Sequence, residues 1–477
     1  MKPKTRSLLW PVLTALVAVA VMVASCQPAA QPTEAPAAQP TEAPAAQPTE
    51  APAAQPTAEE VATVEPTEEE EEHEPVTLRF LQWSSSSKES MHQLLFDEFT
   101  AEYPWITVEL EAVPFSEFFE TLTAQAAAGN LADVVAADSP EVKHLAYNGV
   151  ILPLVPDVFS EEELDDFLPS MLEEASYQGQ LYGVGTSTSA CGLYYNVDLL
   201  EAAGIEAPTT LEDGWTAEEA REAWLALTQR ASPDAPPEVW GVMGRNGPLA
   251  LSSYHGVGWL RSAGEPGSPT YQGISPDGLS VDGYLNTPEV IEALHFLQDL
   301  HQVDKVAPLE QIPDAFPTGQ AATIEWSQSL INKLETNYPD LNWSIMPLPY
   351  FETGFTHVGS FAYTLSRDTQ HPEEAAMLIR WLTTPEHIAY WNEAAPGTNL
   401  PLRKSVYEMI TDHQEMPLRM LYDTLIQWGQ SRPTTPGFRE YSTIVGTGLK
   451  DIMLGAPVEE TVDQMVIDID AALSAYK

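Results

Sequence analysis

The sequence is poor in basic residues. Its 477 residues include only 21 lysines and arginines against 70 aspartates and glutamates, so the formal net charge is -49 at pH 7. A surface this acidic repels the phosphate backbone of nucleic acids, and we therefore exclude nucleic acid as a partner. The same acidity argues against an anionic sugar as ligand unless arginines line the binding site.

The sequence also lacks the motifs of common catalytic sites. It contains no G-x-S-x-G, no H-E-x-x-H, no P-loop and no G-x-G-x-x-G after a predicted strand. Carboxylate pairs such as Asp165 and Asp166 are abundant, but in a chain this acidic they carry little information about glycosidase chemistry. We therefore predict no catalytic residue, no cofactor and no metal site.

Cysteine is nearly absent, and its position is informative. Cys26 follows a basic start and an apolar run of about 17 residues, which is typical of a secretory signal and marginal for a membrane span of ~20 residues. The preceding Val-Ala-Ser resembles the bacterial lipobox, in which the cysteine carries the lipid. We predict a lipoprotein signal peptide over residues 1–25 and lipid attachment at Cys26, which would anchor the protein at the extracytoplasmic face of the cell membrane. The alternative is an ordinary signal peptide with an incidental cysteine. Cys191 would then be the only remaining thiol, so no intrachain disulfide is possible.

A repeat follows the cysteine. AAQPTEAP occurs three times in register, starting at Ala29, Ala37 and Ala45, and an acidic run ends the segment. Proline favours extended chain, the glutamates repel one another, and nothing in the repeat can form a core. We predict that residues 26–75 are a lipidated cysteine with a disordered Pro/Glu-rich tether, and that the folded part begins at about residue 76.

The folded part begins with a regular alternation of strands and helices. Strand patterns at 76–83, 106–113 and 131–138 alternate with helix patterns, which predicts a parallel sheet covered by helices on both faces. Two stretches rich in glycine and proline, 231–248 and 262–278, are predicted to be turns. A folded part of some 400 residues is long for one core and suggests two lobes.

Aromatic residues are numerous. The chain has 12 tryptophans and 17 tyrosines, and aromatic rings stack on the apolar faces of pyranose rings. Trp83 and Trp259, which lie close to serine, glycine and arginine, are the tryptophans that we expect to contact a neutral polyhydroxylated ligand. Most of the other aromatics are expected to fill cores.

Four stretches, taken in order, carry a family resemblance. They are VTLRFLQW to LADVVAAD (76–138), LYGVGTSTSACGLYYNVDLLEAAGIEAPTTLED (181–213), FPTGQAATIEWSQSL with VGSFAYTLS (316–330 and 358–366), and NLPLRKSVY with RPTTPGFREY (399–407 and 432–441). In this order they resemble the extracellular solute-binding proteins of ABC importers, the sugar-binding family that includes the maltodextrin-binding protein. One departure is TIEWSQ, where the family often has G-P-W.

The resemblance implies a two-lobed α/β fold of the periplasmic-binding-protein type with a hinge. The chain would cross between the lobes near Thr186–Tyr194 and near Val358–Ala362, where glycine and serine permit the backbone changes of hinge closure. Carried onto this sequence, the lobes are residues 76–188 with 361–410 for lobe one and residues 189–360 with 411–477 for lobe two.

The resemblance also implies ligand-binding positions, with Asp138 as an acceptor of ligand hydroxyls. Together with the aromatic candidates, the predicted ligand-binding residues are Trp83, Ser84, Ser85, Asp138, Ser139, Thr188, Ser189, Trp259, Trp326, Gly359, Ser360, Arg403 and Arg432.

The implied function is that of a lipid-anchored receptor. It would capture a sugar or oligosaccharide between the lobes, close around it and deliver it to the transmembrane subunits of an ABC permease, as a monomer and without enzymatic turnover. Two alternatives stay open: a secreted glycoside-degrading enzyme, and a surface binding module without a transport role.

Overall fold

The structure, a computed structural model, describes residues 73–477 except residues 246, 251–252 and 394–398. The predicted signal peptide, Cys26 and residues 27–72 of the predicted tether lie outside the described residues. None of the helices in the described part is long and apolar enough to span a membrane.

The strands of the described part vary from two to eight residues in length. They are β1 Val76–Trp83, β2 Ile106–Val113, β3 Val134–Asp138, β4 Ile151–Leu152, β5 Ser176–Tyr177, β6 Gln180–Leu181, β7 Gly183–Val184, β8 Ser187–Ser189, β9 Cys191–Asn196, β10 Gln229–Arg230, β11 Pro237–Met243, β12 Ala321–Ser327, β13 Trp343–Met346, β14 Thr356–His357, β15 Gly359–Ser366, β16 Leu400–Pro401 and β17 Gly429–Gln430.

The helices alternate with these strands along the chain. They are α1 Ser86–Glu102, α2 Phe115–Ala128, α3 Val142–Tyr147, α4 Glu161–Leu164, α5 Pro169–Glu174, α6 Val197–Ala203, α7 Ala217–Leu227, α8 Gly256–Arg261, α9 Pro269–Gln272, α10 Pro288–Gln302, α11 Ser329–Asn337, α12 Pro372–Leu382, α13 Pro385–Glu393, α14 Lys404–Met409, α15 Leu418–Trp428, α16 Phe438–Met453 and α17 Val458–Leu473. Short 3-10 turns lie at Ser139–Glu141, Thr411–Gln414 and Ser474–Tyr476.

Eight strands form the first sheet, in the order β16-β8-β15-β3-β1-β2, with β4 and β7 also paired to β15. β1 is parallel to both β2 and β3, as the predicted β-α-β-α-β order requires. Phe80 and Leu81 are adjacent in β1 and both are fully buried. Because successive side chains of a strand point to opposite faces, this sheet is covered on both faces.

The second sheet has five strands in the order β10-β11-β12-β9-β13. β11 and β12 are parallel, and β9 is antiparallel to β12 and β13. The strand β11 falls within residues 231–248, which we predicted to be turns, so this prediction was wrong. The run PEVWGVM is short and flanked by proline and glycine. Because clusters of these residues normally indicate turns, the pattern did not predict a strand here.

Helix α10 shows how the helices pack on this sheet. Thr287 caps its first turn by accepting a hydrogen bond from the backbone N–H of Val290, and proline occupies the first helical position. Val290, Leu294 and Leu297 recur at helical spacing and are buried. They belong to a hydrophobic cluster that also contains residues of α7, α16 and α17.

The chain passes from one sheet to the other at a single residue. β8 ends at Ser189 in the first sheet, and β9 begins at Cys191 in the second. Only Ala190 separates the two strands, and we call this passage between the sheets the crossing. The chain returns to the first sheet between the end of β13 at Met346 and the start of β15 at Gly359.

Candidate functional site

The carboxyl ends of two parallel strands bring predicted site residues together. β1 ends at Trp83 and β3 ends at Asp138, and the two strands are neighbours in the first sheet. β15 runs antiparallel beside β3 and pairs Phe361 with Asp138. In open α/β sheets, ligands bind outside the carboxyl ends of the strands. Trp83, Asp138 and Phe361 therefore mark the edge where a ligand site is expected.

Two serines follow β1 at this edge. The Ser84 hydroxyl donates to Glu89 Oε1 at 2.6 Å, and the backbone N–H of Ser85 donates to the same oxygen at 3.0 Å. These bonds shape the turn from β1 into α1.

The pairing of β8 with β15 adds three hydroxyl side chains and a glycine to the edge. β8 pairs with β15, so that Thr188 lies opposite Ser360 and Ser189 opposite Gly359. A Cβ atom on Gly359 would come within 2.5 Å of the Tyr254 hydroxyl. This position therefore requires glycine.

The second sheet presents its own carboxyl ends at the crossing. The parallel strands β11 and β12 end at Met243 and Ser327, and Ser327 pairs with Cys191, the first residue of β9. Trp326 lies opposite Gly192. The carboxyl ends of both sheets are therefore joined through Ala190.

Gln328 ties the two edges together. Its side-chain oxygen accepts from the backbone N–H of Ala190, and its amide nitrogen donates to the backbone oxygen of Thr188, both at 3.3 Å. We call the joined carboxyl edges of the two sheets, with the side chains that contact them, the candidate site.

Arg432 is the charged centre of the candidate site. Its guanidinium lies 2.9 Å from Asp138 Oδ1 and 3.0 Å from Glu174 Oε1, and all three side chains are largely buried. Burial alone would lower the pKa of Arg432, but Asp138 and Glu174 outweigh it and raise the pKa above its ordinary value. The arginine stays charged, and it holds two carboxylates from distant parts of the chain.

Two serine hydroxyls extend this network. Ser139 Oγ donates to Glu174 Oε2 and accepts from Arg432 Nη2 at 3.1 Å and from Ser360 Oγ at 3.1 Å. Ser139 is fully buried and Ser360 nearly so. In this conformation their hydroxyls orient the charged groups.

Tyr254 lies over the crossing. Its hydroxyl is 3.0 Å from Ser189 Oγ, its ring lies 3.5 Å from the ring of His357, and the Arg432 guanidinium lies 5.6 Å from its centroid. Burial raises the pKa of Tyr254 to about 12, so the phenol stays protonated and able to donate a hydrogen bond.

Aromatic surfaces flank the polar centre on both sheets. Trp83 contacts Phe361 and Phe115 with ring centroids 5.6 and 5.9 Å apart, and Phe115 is 54% exposed. On the second sheet the guanidinium of Arg245 lies 5.2 Å from the ring of Trp326. Rings beside carboxylates and hydroxyls are the combination that recognises sugars.

Comparison with known proteins identifies the family of this chain. The sequence profile of the bacterial extracellular solute-binding proteins matches residues 95–417. The chain belongs to this family. A profile of PT disordered repeats also matches residues 27–62, within the segment predicted to be a tether.

Individual relatives of this solute-binding protein are distant in sequence. A binding protein of Brucella abortus is 24% identical over 368 residues, which are 75% of this chain and 83% of that protein. The sugar-binding protein MalE of Xanthomonas citri superposes with a TM-score of 0.70 at 20% identity, over 84% of this chain and 98% of that one. An ABC substrate-binding protein of Listeria monocytogenes in complex with cycloalternan gives 0.67 at 20% identity, over 84% and 100%. The fold is thus the two-lobed α/β fold of these proteins.

Two predicted residues of this solute-binding protein lie away from the candidate site. Trp259 is fully buried in α8, where its Nε1 donates to Glu325 Oε2 at 3.2 Å. Arg403 follows the edge strand β16, lies 3.5 Å from Asp166 and stacks over Phe167 at 4.3 Å. The structure brings neither side chain to the polar centre.

Cys191 is part of a closed polar group beneath the crossing. Its sulfur lies 3.6 Å from His255 Nδ1, which is 3.1 Å from Glu325 Oε1. Burial lowers the pKa of His255, but Cys191 and Glu325 outweigh it and raise the pKa to about 10. Cys191 and Glu325 are buried to within 2% of full burial. A substrate cannot reach this thiol in the structure, so the group supports the fold around the crossing.

The sequence did not single out Glu174, His357 or Phe361 as site residues. Glu174 follows another glutamate on a short helix, where charged residues are normally solvated. Its role depends on Arg432, which is 258 residues away along the chain. Phe361 could have been found, because it directly follows Gly359 and Ser360, which were both predicted to bind the ligand.

Proposed function

We propose that this solute-binding protein binds a neutral sugar or oligosaccharide at the candidate site and hands it to an ABC permease. The observation that carries the proposal is the meeting of both carboxyl edges around the Asp138–Arg432 pair, with Trp83 on one sheet and Trp326 on the other. The names of the Listeria and Xanthomonas relatives, a cycloalternan complex and a sugar-binding protein, support the ligand class.

The polar centre supplies the hydrogen bonds that a sugar needs. Asp138 keeps 23% of its side chain exposed while it pairs with Arg432, so its remaining lone pairs accept from ligand hydroxyls. Arg432 holds the carboxylate in place through two N–H groups. The half-buried ring of Trp83 then stacks on the apolar face of the sugar.

Hinge closure follows from the one-residue link between the sheets. Ser189, Ala190 and Cys191 join the strands, and a rotation there would move Trp326 relative to Trp83. A ligand that contacts both sides stabilises the closed state by its additional contacts in that state. We assign lobe one to residues 76–188 with 361–410 and lobe two to residues 189–360 with 411–477.

Calorimetry against a panel of sugars tests the binding step. The panel should contain monosaccharides, malto- and arabino-oligosaccharides and cyclic oligosaccharides. We expect one ligand class to bind with a Kd in the micromolar range, or about −8 kcal/mol. Absence of binding to every sugar would contradict the proposal, and turnover of a chromogenic glycoside would favour the enzyme alternative.

We further propose that Cys26 is lipidated and anchors the chain, as a monomer, outside the cell. Mass spectrometry of the protein from a membrane fraction should show a diacylglyceryl cysteine as the first residue. Cys26→Ala should release the protein while leaving sugar affinity unchanged. A wild-type protein found only in the soluble fraction, with an unmodified cysteine, would contradict the anchor but not the binding step.

Delivery to a permease is tested by uptake. Cells that lack this protein should lose uptake of the labelled sugar and regain it with the wild-type chain. Normal uptake in its absence would favour the surface binding module.

A further inference from the structure

A second cavity lies beside the candidate site. It measures about 430 Å³ and is bordered by α5, by the segment 271–276 and by the segment 429–434. We call it the joint pocket. Of the residues at the candidate site, Arg432 alone lines it. Its volume is within the range of small-molecule sites, about 300–1,000 Å³.

Arg261 on the wall of the joint pocket is a buried cation that forms no direct ion pair, although Glu173 and Glu174 attract it at longer range. The residue is 9% exposed. Its Nε donates to the backbone oxygen of Tyr271 at 2.6 Å, and its Nη1 donates to that of Ser431 at 2.5 Å. No carboxylate of the described residues lies within 4.0 Å of its guanidinium. Buried charges in proteins are normally paired, so this arginine lacks a partner that a ligand could supply.

Gln430 on the same wall is also unpartnered. It is 7% exposed, and neither the nitrogen nor the oxygen of its side-chain amide has a hydrogen-bond partner among the described residues. Buried amides are almost always bonded at both ends. Both amide atoms are also inaccessible to solvent, so a ligand in the joint pocket does not reach them.

The remaining polar groups fit a hydroxylated molecule. Glu173 accepts from Ser431 Oγ at 2.6 Å, and its side chain borders the pocket. Gln272 and Ser170 also line it. A carboxylate therefore accepts ligand hydroxyls on one wall while Arg261 offers positive charge on another.

We propose that the joint pocket is a second ligand site, which takes a small polyhydroxylated carboxylic acid of monosaccharide size. The ligand carboxylate pairs with the free guanidinium N–H groups of Arg261. Its hydroxyls bond to Glu173. This site shares Arg432 with the candidate site, but the proposal does not depend on sugar binding there.

Calorimetry with D-glucuronate, D-glucose and acetate tests the proposal on the intact folded protein. Glucuronate should bind with one-to-one stoichiometry and at least tenfold more tightly than glucose or acetate, because only glucuronate offers both the charge and the hydroxyls. Absence of glucuronate binding, or equal affinity for glucose, would overturn the assignment.

Two variants test whether glucuronate binds in the joint pocket. Arg261→Met should weaken glucuronate binding at least tenfold. Ser170→Tyr fills the pocket from a residue that forms no side-chain hydrogen bond in the described part, so it should have the same effect without disturbing the fold. Ser232→Tyr, at an exposed position outside the pocket, is the matched control and should bind normally.

The candidate site supplies the last control. Trp83→Ala should leave glucuronate affinity unchanged, and Ser170→Tyr should leave the affinity for the neutral sugar unchanged. Loss of glucuronate binding in Trp83→Ala would place the acid at the candidate site and overturn the proposal. Failure of neutral sugar binding alone would leave it standing.

Discussion

The candidate site and the joint pocket each contain a buried arginine, but the two arginines have different partners. Arg432 and Arg261 are 6% and 9% exposed, so burial does not distinguish them. Arg432 is held by two carboxylates, whereas Arg261 is held by two backbone carbonyls. Carbonyl dipoles orient a cation without neutralising it.

The two arginines therefore differ in how far the protein itself compensates their charge. The carboxylates around Arg432 satisfy its charge inside the protein, and a neutral ligand can bind beside the pair without a further charge. Around Arg261 no carboxylate is in direct contact, and Glu173 and Glu174 attract it only at longer range. Binding sites on one fold can thus differ in ligand charge through the carboxylates that surround each arginine.

The largest expected effect is on stability. Arg432→Met leaves the fully buried Glu174 without its cation and should lower the free energy of unfolding by about 3–5 kcal/mol, as when one partner of a buried pair is removed. Arg261→Met loses two neutral acceptors and should cost about 1–3 kcal/mol. Urea unfolding followed by circular dichroism measures both. Equal losses would remove the distinction between the two arginines.

A third arginine, Arg439, extends the comparison of arginine partners, and the pH dependence of stability tests its effect. Glu141 pairs with the half-exposed Arg439 at 3.1 Å. Burial, opposed by Arg439, raises the pKa of Glu141 to about 7. Between pH 4.5 and 7 the folded state therefore binds more protons than the unfolded state, and the free energy of unfolding should fall as pH rises, by up to about 3 kcal/mol.

Glu141→Gln cannot ionise and should lack this decrease. Urea unfolding curves of wild type and variant at pH 4.5, 6 and 8 measure the free energy of unfolding of each protein. The difference between the two proteins should change steadily with pH, in favour of the variant at high pH. Parallel pH dependences would show that Glu141 keeps its ordinary pKa.

Ligand affinity distinguishes two tryptophans. Trp83→Ala should weaken sugar binding at the candidate site by tens of fold, or about 2 kcal/mol, because it removes the stacking surface. Trp259→Phe, within the core of the second sheet, should leave affinity within about threefold, although Glu325 loses a hydrogen-bond donor and stability falls by about 1–3 kcal/mol. Calorimetry with the sugar found in the panel measures both. Unchanged affinity in Trp83→Ala would remove this residue from the site.

The smallest effect is expected at the second-sheet tryptophan. Arg245→Gln removes the cation from the face of Trp326, and such contacts contribute about 0.5–1 kcal/mol at exposed positions. Sugar affinity should change by about two- to fivefold in the same titration, whereas Trp326→Ala should weaken it more. If neither variant changes affinity, the ligand contacts only the first sheet.

Local pattern was enough for the first three strands of the first sheet. The strands at Val76–Trp83 and Ile106–Val113 lie where their apolar runs predicted, because each run packs against helices supplied by its immediate neighbours in sequence. The carboxyl ends of β1 and β3 could be placed together for the same reason, since parallel neighbours share an edge. β11 was missed because its burial depends on β12, some 80 residues further along the chain.

The sequence by itself determined the acidic character of the chain, the order of its first three strands and their helices, the family resemblance and the positions at the ends of β1 and β3. These depend on composition and on contacts between neighbours in sequence. Only the tertiary structure decided that Arg432 pairs with Asp138 and Glu174, that Trp259 is buried, and that Arg261 lacks a carboxylate. A charge or a ring finds its partner through folding, and partners hundreds of residues apart leave no periodic signal in the sequence.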